Sequence, residues 1–173
     1  MKKISEEELA EILRNHEEWV DADMPDNDER RANLEDANLE RENLAGARLA
    51  GANINGARLA GANIDGASLV GASLIDAYLW RARLKDANLA GANLAGANLW
   101  GARLKGANLA GARLAGANLV CACFLGANLE SANLNDAYLW RARLKGANLW
   151  RARLKDANLA GANLDGANLV GAN

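Results

Sequence analysis

The chain has 173 residues, half of them apolar, 5% aromatic, with a formal charge of −2, which suits one compact domain with a continuous core. It holds one histidine, two cysteines, four serines and neither threonine nor glutamine. That inventory leaves little from which to build a zinc site, a nucleophile–base pair or a disulfide framework, so no enzyme activity, metal or cofactor is expected. The small net charge conceals an asymmetry: residues 1–42 carry 6 Lys or Arg against 15 Asp or Glu, and residues 43–173 carry 14 against 7. The head is acidic and the body basic. No apolar run approaches the roughly 20 residues of a membrane span, and the opening Met1-Lys2-Lys3-Ile4-Ser5-Glu6 runs into acidic residues rather than a signal-peptide core. A soluble, cytoplasmic protein is the expectation.

Residues 1–31 read as a cap. Ser5 with Glu8 makes a capping box, and Ile4 with Leu9 is placed as a hydrophobic staple, so a helix is predicted from Ser5 to about Val20. Leu9, Ile12, Leu13, His16 and Trp19 or Val20 form one stripe at three-four spacing. Such a stripe can cover an open edge that would otherwise invite aggregation. Asp21 to Arg31 is an acidic loop around Pro25. Its Asp21, Asp23, Asp26 and Asp28 lack the glycine and the acidic twelfth residue of a calcium-binding EF-hand loop, so the segment reads as a solvated linker.

From Asn33 to Gly171 the chain repeats every five residues without insertion or deletion. If i marks the large apolar residue, i runs from Leu34 every fifth position to Leu169, giving 28 pentads in which only Ile54, Ile64 and Phe124 are not Leu. Position i−2 is Ala except at Glu42, i−1 is mostly Asn, and all 17 glycines fall at i+2. A helix would scatter these leucines around its circumference, and a plain strand would alternate them between faces. One short extended segment followed by a corner explains the pattern, with Leu and Ala inward. Glycine at i+2 fits a type II turn, whose second central residue needs positive φ. Where i+2 is Asp36, Arg41, Asp76, Arg81, Asp86, Cys121, Ser131, Asp136, Arg141, Arg151 or Asp156, a corner without that demand is expected. Glu42, the one charged residue of an inward column, is expected near the capped end, satisfied by Arg14, Arg30 or the loop backbone.

Runs such as Ala92-Asn93-Leu94-Ala95-Gly96 and Ala107-Asn108-Leu109-Ala110-Gly111 resemble the consensus of the pentapeptide-repeat proteins. The resemblance implies an all-β solenoid, a right-handed quadrilateral β-helix in which four pentads make a coil of 20 residues. The expected organisation is therefore an N-terminal α-helical cap with its acidic loop over residues 1–31, then about seven coils over residues 32–173. At about 4.8 Å per coil the stack is roughly 34 Å long. Some proteins of this family mimic duplex DNA and protect type II topoisomerases, which calls for an acidic, DNA-like surface; the basic body here speaks against it. An engineered consensus-like scaffold without natural ligand is a further alternative, disfavoured by the irregular Glu42, Cys121, Cys123 and Phe124.

Residues 20 apart stack in adjacent coils. Trp80, Trp100, Val120 and Trp140 then form one outward column, flanked by Tyr78 and Tyr138, with Arg81 and Arg141 at the corner. On the next face Lys85, Lys105, Leu125 and Lys145 align beside Arg83, Arg103, Cys123 and Arg143. The octets Tyr78–Lys85 and Tyr138–Lys145 are identical and three coils apart, whereas Trp150 falls on another face. This aromatic and basic strip has the composition of an interaction surface. The alternative is a stacking ladder in which cations shield the rings. The expected function is a non-catalytic scaffold whose partner is a macromolecule, a protein with an acidic surface rather than nucleic acid, since the chain as a whole is not strongly basic. Cys121 and Cys123 lack the companions of a metal site and read as surface thiols, and the recurring Gly-x-x-x-x-Gly is a by-product of the repeat. The final Gly171-Ala172-Asn173 carries no capping helix, so either further residues follow or another copy covers the last coil, and a homodimer through the C-terminal coil is a further expectation.

Overall fold

The computed structural model describes residues 2–23 and 29–173. Pro25, Asp26 and Asp28 of the acidic loop lie outside the described residues. From Asn33 onward the backbone winds into a four-sided parallel β-helix of seven coils. Successive bridges join residues 20 apart, from Asn33↔Asn53 to Asn148↔Asn168. We number the faces by their inward leucines in the first coil: Leu34 on the first, Leu39 on the second, Leu44 on the third and Leu49 on the fourth.

The consensus pentad takes this form because each of its backbone N–H groups finds an acceptor. In Ala107–Gly111, Asn108 donates to Ala87 O in the coil before, while Leu109 and Gly111 donate to Asn128 O and Glu130 O in the coil after, at 2.6–2.9 Å. Ala107 donates to Leu104 O at 3.1 Å, closing the corner. The fifth donor, Ala110 N–H, meets the Asn108 side-chain Oδ1 at 3.2 Å. That last bond explains why i−1 prefers Asn, whose short amide folds back two residues and satisfies a donor that the ladder cannot reach. Asn side chains also join coil to coil, Asn108 Nδ2 donating to Asn88 Oδ1 and Asn128 Nδ2 to Asn108 Oδ1 at 3.2 and 3.3 Å.

The corners depart from the sequence expectation. Positive φ occurs at i+2 in every pentad, at the glycines and equally at the eleven other residues, from 54° at Arg81 to 64° at Arg41. The i+1 residues keep negative φ, so with the closing bond these are type II turns throughout. The ladder overrides local preference. A different turn at one corner would unseat the N–H groups of i and i+2 from the next coil, a greater loss than the roughly 1–2 kcal/mol of left-handed strain. At some corners glycine is required for space as well. A Cβ at Gly96 would lie 2.2 Å from Oδ1 of Asp76, one coil earlier.

The inward Leu and Ala columns are buried, Phe124 among them, apart from the half-buried Ala47; from Leu154 onward they become half-buried, and Leu169 is exposed. Glu42 corrects a second expectation: no ion pair joins it to Arg14 or Arg30 among the described residues. It is half-buried, so water can reach the carboxylate.

The cap helix forms as the sequence predicts, and a short strand is added to it. Helix α1 spans Glu6–Asp21, with Ser5 Oγ accepting the Glu8 N–H at 3.1 Å. A short strand β1, Lys2–Lys3, precedes it and pairs in parallel with Ala37–Asn38 (β2), an edge contact with no counterpart in the pentad pattern. Leu9, His16 and Trp19 are buried, and Ile4, Ile12 and Leu13 pack against the core. Trp19 lies over the Gly51 corner, where an added Cβ would come within 3.0 Å of its ring. Arg48 pairs with Asp21 at 2.7 Å, and Arg31 Nε donates to Gly51 O at 2.7 Å.

His16 does more than fill space. Elsewhere the Ala of each pentad donates to the preceding Leu carbonyl, and Ala32 has no such Leu; His16 Nδ1 accepts that N–H at 3.0 Å. The ring stacks on Trp19, centroids 5.0 Å apart, and its Nε2 is buried without a hydrogen bond of normal geometry. Burial holds the His16 pKa below its usual value; a backbone contact with Ala50 opposes this, and the Arg31 and Arg48 cations reinforce it.

Two outcomes follow from this bookkeeping. Asn108→Ala removes one turn acceptor and two amide rungs, so urea unfolding should show a loss of about 1–3 kcal/mol. Because His16 titrates lower in the folded cap than in the open one, the open form binds the extra proton. Cap stability is then fully present above the ordinary pKa of about 6.5 and falls as pH drops below it. Protection of the Ala32 amide against hydrogen exchange, corrected for intrinsic rate, should decline from pH 7 to pH 5.

Candidate functional interface

The predicted strip assembles on the second face, the third face and the corner between them. Tyr78 and Tyr138, at i−1 of the second face, are 54% and 55% exposed. Trp80 and Trp140, at i+1, are 44% and 40% exposed. The tyrosines and tryptophans of the two identical octets are thus exposed to nearly the same extent. Trp100 is half-buried and stacks on Trp80, centroids 5.8 Å apart and planes 27° apart. Val120 stands between Trp100 and Trp140 in the column, so the tryptophans form a stacked pair and a separate ring rather than one ladder.

The corner arginines turn onto these rings. The Arg81 guanidinium lies 4.7 Å from the Trp80 centroid and 5.2 Å from that of Trp100, and Arg141 lies 4.2 Å from Trp140. Trp150 has the same relation to Arg151, at 4.2 Å, on the fourth face, away from the strip. Trp followed by Arg at a corner is therefore a local cation–π unit, which offsets part of the left-handed strain at the arginine. The sequence reading missed this unit at Arg151, although the dipeptide was visible there.

Around the corner the cations divide into two groups. Arg83 pairs with Asp65, whose Oδ1 also accepts the Lys85 N–H at 2.8 Å, and Lys85 Nζ is 3.4 Å from Asp86. Among the described residues Arg103, Lys105, Arg143 and Lys145 have no carboxylate partner. A shallow groove of about 480 Å³ runs between them, lined by Lys85, Arg103, Lys105, Cys121, Cys123 and Arg143, together with Gly101 and Leu125. Both cysteines are free and half-buried. A second groove of about 590 Å³ lies below Trp80, where Ala60 leaves the column vacant between Tyr78, Trp80 and the Arg58–Glu40 ion pair. No group of three or more His, Cys, Asp or Glu gathers among the described residues, and no described helix is long and apolar enough to cross a membrane.

The strip occupies positions where the repeat has its own preferred residue. Tyr78, Tyr138, Arg83, Arg103 and Arg143 stand where most pentads place the Asn that accepts the i+1 amide, a departure shared outside the strip by Arg48, Arg58, Arg113 and Arg153. The i+1 amides of Trp80, Trp140, Lys105 and Lys145 have no side-chain acceptor among the described residues, whereas that of Trp100 is met by Asn98 at 3.1 Å. Lys85 alone of these positions recovers an acceptor, from Asp65.

The chain matches none of the curated proteins. Among solved structures it is similar to full-length QnrB1, a plasmid-mediated fluoroquinolone resistance protein: 22% identity over 81% of this chain and 73% of that one, with a TM-score of 0.67. Similarity also extends to HetL of Nostoc sp. strain PCC 7120, a pentapeptide repeat protein involved in heterocyst differentiation regulation, at 29% identity over 81% and 88% of the two chains, TM-score 0.34. Rfr23 of the cyanobacterium Cyanothece 51142 matches at 26% identity over 87% and 94%, TM-score 0.40. The likeness to QnrB1 agrees with the parallel 20-residue register in giving a right-handed quadrilateral β-helix. The family model for pentapeptide repeats matches in 8 copies across residues 30–66, 67–104, 101–136, 122–159 and 137–173, and the chain belongs to the pentapeptide-repeat family as a repeat scaffold.

Proposed function

We propose that this scaffold is non-catalytic and uses its second and third faces to bind a protein partner with an acidic surface. The observation that carries the reading is where the strip departs from the repeat. Tyr78, Tyr138, Arg103 and Arg143 each forgo the Asn that satisfies a turn amide, and Arg81 and Arg141 sit at positive φ where glycine is unstrained. Exposed aromatics and unpaired cations placed against the preference of the backbone are what a binding surface contributes and a bare scaffold does not. The corner arginines, held on tryptophan rings, serve the ladder as well; Arg103, Lys105, Arg143 and Lys145 are free to meet an anionic surface.

Fluoroquinolone resistance is a property of QnrB1. Transfer of DNA mimicry to this chain finds no support in its charge layout, because the acidic corner residues Asp36, Asp76, Asp136 and Asp156 share one edge while the neighbouring strip is basic. Purified protein should leave gyrase supercoiling unchanged.

A cytosolic pull-down should compare the native chain with a Trp80→Ala, Trp140→Ala, Lys105→Glu, Lys145→Glu variant, after circular dichroism has verified that both are folded. The reading expects a protein retained by the native chain and lost by the variant. Equal retention of the same proteins by both would assign the strip to stability alone.

A further inference from the structure

We infer that the notch over Cys123 on the third face receives a phosphoryl group borne by the partner protein, gripped between Arg103 and Arg143. The inference rests on the proposed binding role of these faces and names the chemistry of one contact within it. Arg103↔Cys123 and Cys123↔Arg143 are consecutive parallel bridges, so a short thiol side chain stands between two long guanidinium side chains, one coil to either side. Leu125 stands likewise between Lys105 and Lys145 in the adjoining column. The result is the groove of about 480 Å³ whose wall carries Arg103, Lys105 and Arg143 without carboxylate partners among the described residues.

The charge count selects the ligand. Two coils separate the Cα atoms of Arg103 and Arg143 by about 9.6 Å, a span that two extended guanidinium groups can close on one compact anion between them. A carboxylate has two oxygens and one charge and satisfies one arginine fork. A phosphodiester, with one charge and two free oxygens, does no better. A phosphate monoester carries about −1.5 to −2 and three acceptor oxygens, enough to bridge both forks and the Lys105 ammonium. Continuity with the exposed Tyr138 and Trp140 around the corner points to an anion attached to a polypeptide, since a free ion would make no use of those rings.

The test reads Cys123 itself, in a Cys121→Ser background; Ser131 already holds an equivalent corner at φ 55°. Alkylation of Cys123 by the neutral reagent N-ethylmaleimide is followed with an acetylated, amidated Tyr-Gly-phosphoserine-Gly-Tyr pentapeptide, whose rings can reach the aromatic column, its aspartate counterpart and inorganic phosphate, at constant ionic strength. The phosphopeptide should slow alkylation saturably, inorganic phosphate should require about tenfold more to do so, and the aspartate peptide should have little effect. Arg103→Asn and Arg143→Asn should each raise the half-saturating phosphopeptide concentration about tenfold. Both variants install the residue that the repeat itself prefers, and circular dichroism would verify their fold. Absence of protection by the phosphopeptide, equal protection by the aspartate peptide, or an unchanged half-saturation in both variants would overturn the inference. Inorganic phosphate protecting as well as the peptide would also overturn it, by assigning the notch to a free ion. Any of these failures leaves the pull-down comparison to decide the wider reading by itself.

Discussion

Everything in this molecule depends on a corner at every fifth residue, held at positive φ so that residues 20 apart fall into parallel register. Once that corner recurs, four of five backbone N–H groups per pentad are satisfied by the ladder and the closing turn. The fifth falls to Asn at i−1. The Leu and Ala columns follow, because positions i and i−2 are the two that the register turns inward. The corner is strong enough as a constraint to hold Arg, Cys and Ser in a conformation that isolated residues of these types avoid.

The same constraint limits where the protein can express anything other than its fold. Inward positions are spoken for, and of the three outward ones two carry a backbone penalty for change: i−1 loses the turn acceptor, and i+2 takes on left-handed strain. Only i+1 varies freely. Departures at these positions occur on every face, as at Arg48, Arg113, Arg151 and Arg153; what marks the strip is that its departures bring exposed rings and cations side by side on the second and third faces. Part of the strain at Arg81 and Arg141 is recovered by the neighbouring ring, so that corner is shared between stability and recognition. The free cations of the third face have no such local return.

The register, the inward columns, the cap helix and the stacking of Trp80 over Trp100 were all legible in the chain, because each rests on a period that fixes which residues meet. What escaped was whatever the period does not determine. The non-glycine corners were misjudged since intrinsic turn preference was weighed without the cooperative ladder on both sides. His16 was placed correctly on the cap stripe, yet its role as acceptor for Ala32 depends on a missing Leu carbonyl, visible only once the closing bonds are counted. Strand β1 follows no pentad, and Glu42 is half-buried within reach of water where Arg14, Arg30 or the loop backbone was expected to satisfy it. Within the strip the sequence identified the columns, but not that Val120 splits the tryptophans or that Asp65 and Asp86 neutralise one end of the basic face.

The central claim is that the strip is added to a coil that folds without it. Its most direct test is the urea unfolding free energy of a chain in which the strip is returned to the repeat's own residues, Tyr78→Asn, Tyr138→Asn, Trp80→Ala, Trp140→Ala, Arg103→Asn and Arg143→Asn. The account predicts stability equal to or above that of the native chain, because four turn amides regain their acceptors at about 0.5–1.5 kcal/mol each and offset the loss of partly exposed rings. A loss of several kcal/mol would contradict it and make the strip a structural element of the helix.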